Sequence, residues 1–280
     1  MAPCLHYNKR MKRTINKKIR TKILLLVLIF MLSVCLATAC GAGSKEAASE
    51  SDGRVRVGII DTGFSDKAIP ADNVAGGRNY VDEGLGTEDT YGHGTAVAGI
   101  ILEQVPDAEL VALVSSVYDH GKLTQVDADT FAGIILDAVD VYECDVINVS
   151  AGFTADVESV RSAVEYAAEK GVVIVAAAGN DYAENSGVKY YPAAYDTVIA
   201  VGSLKEDMTE IADFSQRGEW VDTYEKGENI TVRTLSGKTR TVDGTSYSAA
   251  IVTAKAAGML LDNPQLTPGQ VLEIIDFGTH

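Results

Sequence analysis

Apolar residues along this chain come in short, nearly unbroken runs. Residues 55–60, 110–114, 146–149, 172–177 and 198–201 are such runs, rich in β-branched side chains. Between and after them, apolar residues recur with helical spacing over 94–103, 128–142, 157–170 and 247–261. Apolar strands without alternation are buried on both faces, and strands alternating with helices make parallel crossovers. The pattern therefore predicts an α/β domain, a mostly parallel sheet with helices on both faces. No internal repeat or second linker interrupts it, so residues 54–280 read as one domain. In such sheets ligand sites gather outside the carboxyl ends of the strands.

The first part of the chain reads differently. Residues 1–22 carry eight Lys or Arg and no acid, and residues 23–39 carry no charge. A basic stretch, an apolar core and small residues before a break make a secretory signal over residues 1–39, outside the fold. Cys40 follows Ala37-Thr38-Ala39, which resembles a bacterial lipoprotein signal, where the Cys carries the lipid. Ala37 stands where Leu is usual, and an uncleaved anchor of near-spanning length is the alternative. Either way the body is expected outside the cytoplasm, tethered to a membrane. Residues 40–53, rich in Gly, Ala, Ser and Glu, read as a flexible tether.

From Cys40 onward there are 16 basic and 39 acidic side chains, a net of −23. Such a body repels phosphate backbones, which argues against nucleic acid as a partner. Cys4 and Cys35 lie within the signal, and with Cys40 acylated Cys144 stands alone, without a disulfide partner. Its place just before an apolar run favours buried packing over nucleophilic chemistry.

Three polar residues stand in positions suited to chemistry. Asp61 ends the first apolar run and is followed by Thr62-Gly63. His93 lies between Gly92 and Gly94 at a predicted helix start, where the glycines admit another chain close to the imidazole. Ser246 lies in Gly244-Thr245-Ser246 before the last long helix, whose N-terminal amides would stabilise developing negative charge. Each signal is weak alone; in the order Asp, His, Ser they reinforce one another.

In these residues the chain resembles the subtilases, the subtilisin-like serine proteases. The Asp motif is Ile59-Ile60-Asp61-Thr62-Gly63 and the His motif is Gly92-His93-Gly94-Thr95-Ala96-Val97-Ala98-Gly99. The Asn motif is Ala176-Ala177-Ala178-Gly179-Asn180, and the nucleophile motif is Gly244-Thr245-Ser246. The resemblance implies a subtilisin-like fold and acyl transfer. Ser246 would be nucleophile, His93 general base and acid, Asp61 its orienting carboxylate, and Asn180 an oxyanion donor. It also implies that an extended peptide pairs with Ser150-Ala151-Gly152 and with the loop at His120-Gly121-Lys122. Gly179 would wall the primary specificity pocket. Counting back from Pro192 puts Tyr190 at its base, so small or slender side chains are expected before the scissile bond. The pH profile is expected to turn on an imidazole near ~6.5.

The chain departs from the family's pattern in three places. Ala250 and Ile251 replace a usual Pro and His after the nucleophile. No folding propeptide fits between Cys40 and Val55. The helix after His93 runs on without the calcium-binding loop of many relatives, and no metal or cofactor is expected. The leading reading is a membrane-tethered extracytoplasmic serine endopeptidase acting on peptides or proteins. The alternative is a catalytically impaired subtilase serving as a peptide-binding lipoprotein. A solute-binding lipoprotein would suit the same signal but gives no reason for the four motifs.

Overall fold

The computed structural model describes residues 53–277. The signal, Cys40 and the tether up to residue 52 lie outside the described residues. In chain order the elements begin with β1 (Arg56–Asp61), a 3-10 turn (Ala71–Asn73), β2 (Val74–Asn79), α1 (His93–Gln104) and β3 (Glu109–Val114). A hairpin of β4 (Ser116–Asp119) and β5 (Lys122–Gln125) follows, then α2 (Ala128–Asp140), β6 (Val146–Val149) and α3 (Glu158–Glu169). β7 (Val173–Ala177), β8 (Val198–Leu204) and β9 (Thr223–Lys226) complete the main strands. A second hairpin, β10 (Ile230–Arg233) and β11 (Thr239–Val242), precedes α4 (Thr245–Asp262) and α5 (Pro268–Phe277).

Seven strands form one wholly parallel sheet in the order β2-β3-β1-β6-β7-β8-β9. Successive side chains of a strand point to opposite faces, and the cores divide accordingly. Val57 and Ile59 of β1 pack with α1, α4 and α5, while Ile60 packs with α2 and α3. Leu110 and Ala112 of β3 join the first core, Val111 and Leu113 the second. Helices on both faces agree with the expected fold class. α1 is buried from Gly94 to Ile101, so it shows no polar face. The strand order turns around β1, which pairs with β3 on one side and β6 on the other. The carboxyl ends of β1 and β6, at Asp61 and just before Ser150, therefore flank the crevice where such sheets bind ligands.

The five expected strands and four expected helices are present, with ends shifted by a few residues. The edge strands β2 and β9, both hairpins and α5 were not foreseen. In β2 the pair Gly76-Gly77 reads locally as a turn, yet it serves close approach. A Cβ on Gly77 would stand 2.3 Å from the Ala112 carbonyl oxygen of β3. Cys144 is buried, with its Sγ 3.0 Å from where a Cβ on Gly58 would lie, so it is a packing residue. α1 passes unbroken to Gln104 and reaches β3 within five residues.

Candidate active site

Asp61 ends a central strand, and its side chain is only 3% exposed. The Thr62 amide donates to its Oδ1 at 2.7 Å, and His93 Nδ1 lies 2.8 Å from each carboxylate oxygen. A carboxylate only accepts, so Nδ1 carries the proton and, in the neutral ring, Nε2 is the acceptor. The His93 side chain is 22% exposed, which keeps the imidazole reachable from the cleft.

His93 opens α1, and the glycines around it bring that helix start against the exit of β1. A Cβ on Gly94 would stand 2.4 Å from the Gly63 carbonyl oxygen, while Gly92 has a φ of 96°. The chain admitted beside the imidazole is thus the protein's own Asp61–Gly63 segment. The Gly94 amide donates to Thr62 Oγ1 at 2.9 Å. Asp89, 3% exposed, holds the helix start from below. It accepts from the amides of Tyr91 (2.9 Å), Gly92 (2.8 Å) and Thr95 (3.0 Å) and from the Thr95 hydroxyl (2.7 Å). Sequence reasoning missed Asp89; an Asp shortly before a helix start, able to cap its amides, was the available signal.

Burial is the largest single influence on the His93 imidazolium and lowers its pKa. The charge and hydrogen bond of Asp61, helped by Asp89, outweigh it and hold the pKa above the ordinary 6.5, with Arg240 opposing slightly. This corrects the expectation of an unshifted imidazole.

Asn180 follows β7 in a loop that turns at Gly179, where φ is 112°. Its Oδ1 accepts from the Thr245 amide at 2.8 Å and the Thr245 hydroxyl at 2.9 Å. Two donors at one end fix the amide's orientation, so the Nδ2 group is turned away from Thr245 as a free donor. Thr245 directly precedes Ser246, so one contact couples the Asn180 amide to the start of α4. Ser246 is 6% exposed and lines a cavity of about 310 Å³ together with Asn180, Gly152, Gly179 and Tyr190. A second cavity of about 140 Å³ lies beside His93, lined by Tyr91, Leu123 and Gln125 among others. Ser150 and Ala151 line both cavities. No hydrogen bond joins Ser246 Oγ to His93 among the described residues; such contacts often close only when substrate is seated.

The first turns of α4 are tied down by polar contacts that sequence reasoning did not find. Ser248 Oγ reaches Ser203 Oγ at 2.9 Å and donates toward the carbonyls of Glu225 and Lys226. Buried Asn148 of β6 donates to Thr253 Oγ1 at 2.9 Å and accepts from Ser150 Oγ at 3.0 Å. Ser150 Oγ also approaches the Ser246 carbonyl at 3.4 Å. Ala250 is fully buried and Ile251 partly buried within an unbroken helix, which runs through without the usual Pro and His.

The structure brings Gly152, Gly179 and Tyr190 together. A Cβ on Gly179 would stand 2.7 Å from Tyr190 Cδ2, and one on Gly152 would stand 3.7 Å from Tyr190 Cδ1. The ring thus lies between the two glycines. Its hydroxyl donates to Asp181 Oδ2 at 2.6 Å, which pushes the phenol up to about 12. Burial works against ionised Asp181, but bonds from Tyr190, Gln216 and Asn185 hold its carboxyl below the ordinary range. His120 and Gly121 form the tip of the β4–β5 hairpin and Lys122 begins β5; all three are exposed and line neither cavity. That hairpin borders the cleft instead through Ser116, Leu123 and Gln125.

An aspartate–imidazole pair, a serine at a helix start and an oriented asparagine thus gather at the carboxyl edge of a parallel sheet whose fold is subtilisin-like. Residues 52–275 match the sequence profile of the subtilase family. The chain belongs to that family, and with it to the subtilisin-like serine endopeptidases, whose substrates are peptides or proteins. It is 32% identical over 235 residues to subtilisin DY of Bacillus licheniformis, covering 82% of this chain and 85% of that protein. It is 33% identical over 236 residues to the minor extracellular protease Epr of Bacillus subtilis (strain 168), covering 80% of this chain but 36% of Epr. Among solved structures, a cold adapted subtilisin-like serine proteinase superposes with a TM-score of 0.68 at 26% identity, covering 84% of this chain and 85% of that one.

Proposed function

We propose that the chain is an extracytoplasmic, membrane-tethered serine endopeptidase that works through an acyl-enzyme intermediate. The Asp61–His93 pair, with both carboxylate oxygens 2.8 Å from Nδ1, carries this reading. With Nδ1 holding the proton, His93 Nε2 takes the Ser246 hydroxyl proton as Oγ attacks the peptide carbonyl, and then returns it to the leaving amine. Asp61 keeps the tautomer and stabilises the imidazolium formed in between. Asn180 Nδ2 and the Ser246 amide receive the oxyanion. Water then attacks the acyl-enzyme, with His93 again acting as base. The substrate's acyl half runs along Ser150-Ala151-Gly152, with the side chain before the scissile bond in the cavity of Gly179 and Tyr190. Lipid on Cys40, or the retained apolar run, keeps the enzyme at the membrane.

A fluorophosphonate probe tests the hydrolytic reading. The soluble body should be labelled on Ser246 and should cleave a peptide library, and Ser246→Ala should do neither. Asn180→Ala should lower turnover by roughly 10²–10³, the loss seen on removing such a donor in a subtilisin. Absence of labelling in folded wild-type protein that still binds peptides would favour the catalytically impaired alternative.

A further inference from the structure

Residues 230–242, the β10–β11 hairpin with its turn, hold Arg233, Lys238 and Arg240 and no acid. This stands out in a body with 16 basic and 39 acidic side chains. All three cations are exposed. Arg54, Arg56, Arg78, Arg161 and Lys205 each pair with an acid. None of the three hairpin cations makes an ion pair or a side-chain hydrogen bond among the described residues. Arg233 pairs with Thr239 and so leaves the hairpin on the other face from Arg240, its stem lying along α1 at Gly99. Three cations without an ion pair on one short hairpin still set its charge against that of the acidic body.

The hairpin borders the active site. Ser65 Oγ donates to the Leu235 carbonyl at 2.8 Å, and Leu235 Cγ lies 3.4 Å from where a Cβ on Gly92 would be, next to His93. Arg240 stands opposite Val232, so its side chain leaves β11 on the face where Val232 enters the core beside α1. Tyr247 lies on the same side, its ring centroid 5.7 Å from that of His93. The Arg240 charge reaches both rings, opposing the upward shift of each. Neither cavity described above takes a residue from this hairpin. Those cavities hold the acyl half of a substrate. The leaving half collects its proton from His93 and so departs past that side chain.

We propose that the β10–β11 hairpin recognises an acidic stretch of the substrate on the carboxyl-terminal side of the scissile bond, with Arg240 nearest the cut. This rests on the hydrolytic reading above and narrows its substrate class. Adjacency to His93 favours a substrate segment over a lipid surface as the occupant.

The test uses two quenched peptides, identical before the scissile bond and carrying either Glu and Asp or Gln and Asn after it. At low salt the acidic peptide should show kcat/KM higher by about five- to tenfold, as for several rim charges acting together. At about 1 M salt, where the screening length is about 3 Å, the ratio should approach one. Arg233→Gln, Lys238→Gln and Arg240→Gln combined should remove the preference, and of the three single changes Arg240→Gln should lower it most. In Ser246→Ala, fluorescence anisotropy of the same peptides separates the two readings. Acid-selective binding without cleavage by wild type would overturn hydrolysis and keep the hairpin assignment. Equal affinity for both peptides, or a preference that survives the triple variant, would overturn the hairpin assignment alone. So would loss of peptide selectivity together with tight binding to anionic vesicles, which would give the cations to the membrane.

Discussion

Replacing Tyr190 by Gly should change which peptide bonds are cut, and the structure sets the scale. The ring lies between Gly152 and Gly179, close enough to Gly179 that a Cβ there would meet it at 2.7 Å. It cannot turn aside freely, because its hydroxyl is bonded to Asp181 at 2.6 Å. The cavity of about 310 Å³ is at the small end for a binding pocket and must also admit the substrate backbone past Ser246. An aromatic side chain before the scissile bond therefore has two routes. It overfills the site at a cost of about 1–3 kcal/mol, or it displaces Tyr190 and breaks a bond to a carboxylate worth about 1.5–3 kcal/mol. At 1.36 kcal/mol per decade, the cheaper route still costs roughly five- to tenfold or more in rate. Wild type should accordingly prefer Ala, Ser or Val before the cut over Phe. Tyr190→Gly should raise kcat/KM for Phe and Leu peptides by about tenfold, with little change for Ala. Tyr190→Phe, which keeps the ring but frees it from Asp181, should fall between. The assay is kcat/KM over a peptide series varied only at that residue. Efficient wild-type cleavage after Phe, unchanged in Tyr190→Gly, would refute the reasoning.

Four further outcomes are expected. Protonated His93 cannot accept the Ser246 proton, so kcat/KM should rise with pH through a midpoint above 6.5, and Asp61→Asn should lower that midpoint along with the rate. The same raised pKa means that the charged form of His93 stabilises the fold. This contribution is complete below the unfolded value of about 6.5 and is lost as pH rises through the folded pKa, so thermal melts of wild type and His93→Ala should diverge toward acid pH. Cys144, which burial pushes up to about 12, should resist alkylation at pH near 8 in folded protein and react only on unfolding; prompt stoichiometric labelling would contradict its packing. Cys40→Ser should abolish lipid attachment, worth about 0.8 kcal/mol per buried CH₂, and mass spectrometry of an unmodified wild-type N-terminus starting elsewhere would refute lipidation.

Much of this protein was legible along the chain because its central strands are buried on both faces. Burial removes alternation, and the runs at 146–149 and 198–201 could be read as interior strands without knowing their neighbours. The glycines flanking His93 likewise marked a place where backbones meet. The edge strands escaped because an edge needs no apolar run: β2 is Val-Ala-Gly-Gly-Arg-Asn, whose glycines serve contact with β3. Asn148, Ser203 and Ser248 escaped for another reason. A buried polar side chain is tolerated only with partners, and those partners lie on other elements: Ser203 on β8 meets Ser248 on α4, and Asn148 on β6 meets Thr253. Local sequence carries no record of such pairings. Residue type and position made Asp61, His93 and Ser246 candidates along the chain, and Asn180 joined them through the resemblance to the subtilase motifs. The raised pKa of His93, the orientation of the Asn180 amide and the seating of Tyr190 between two glycines were decided only when the sheet brought distant loops to one edge, because charge, hydrogen bonding and steric fit depend on distance through space.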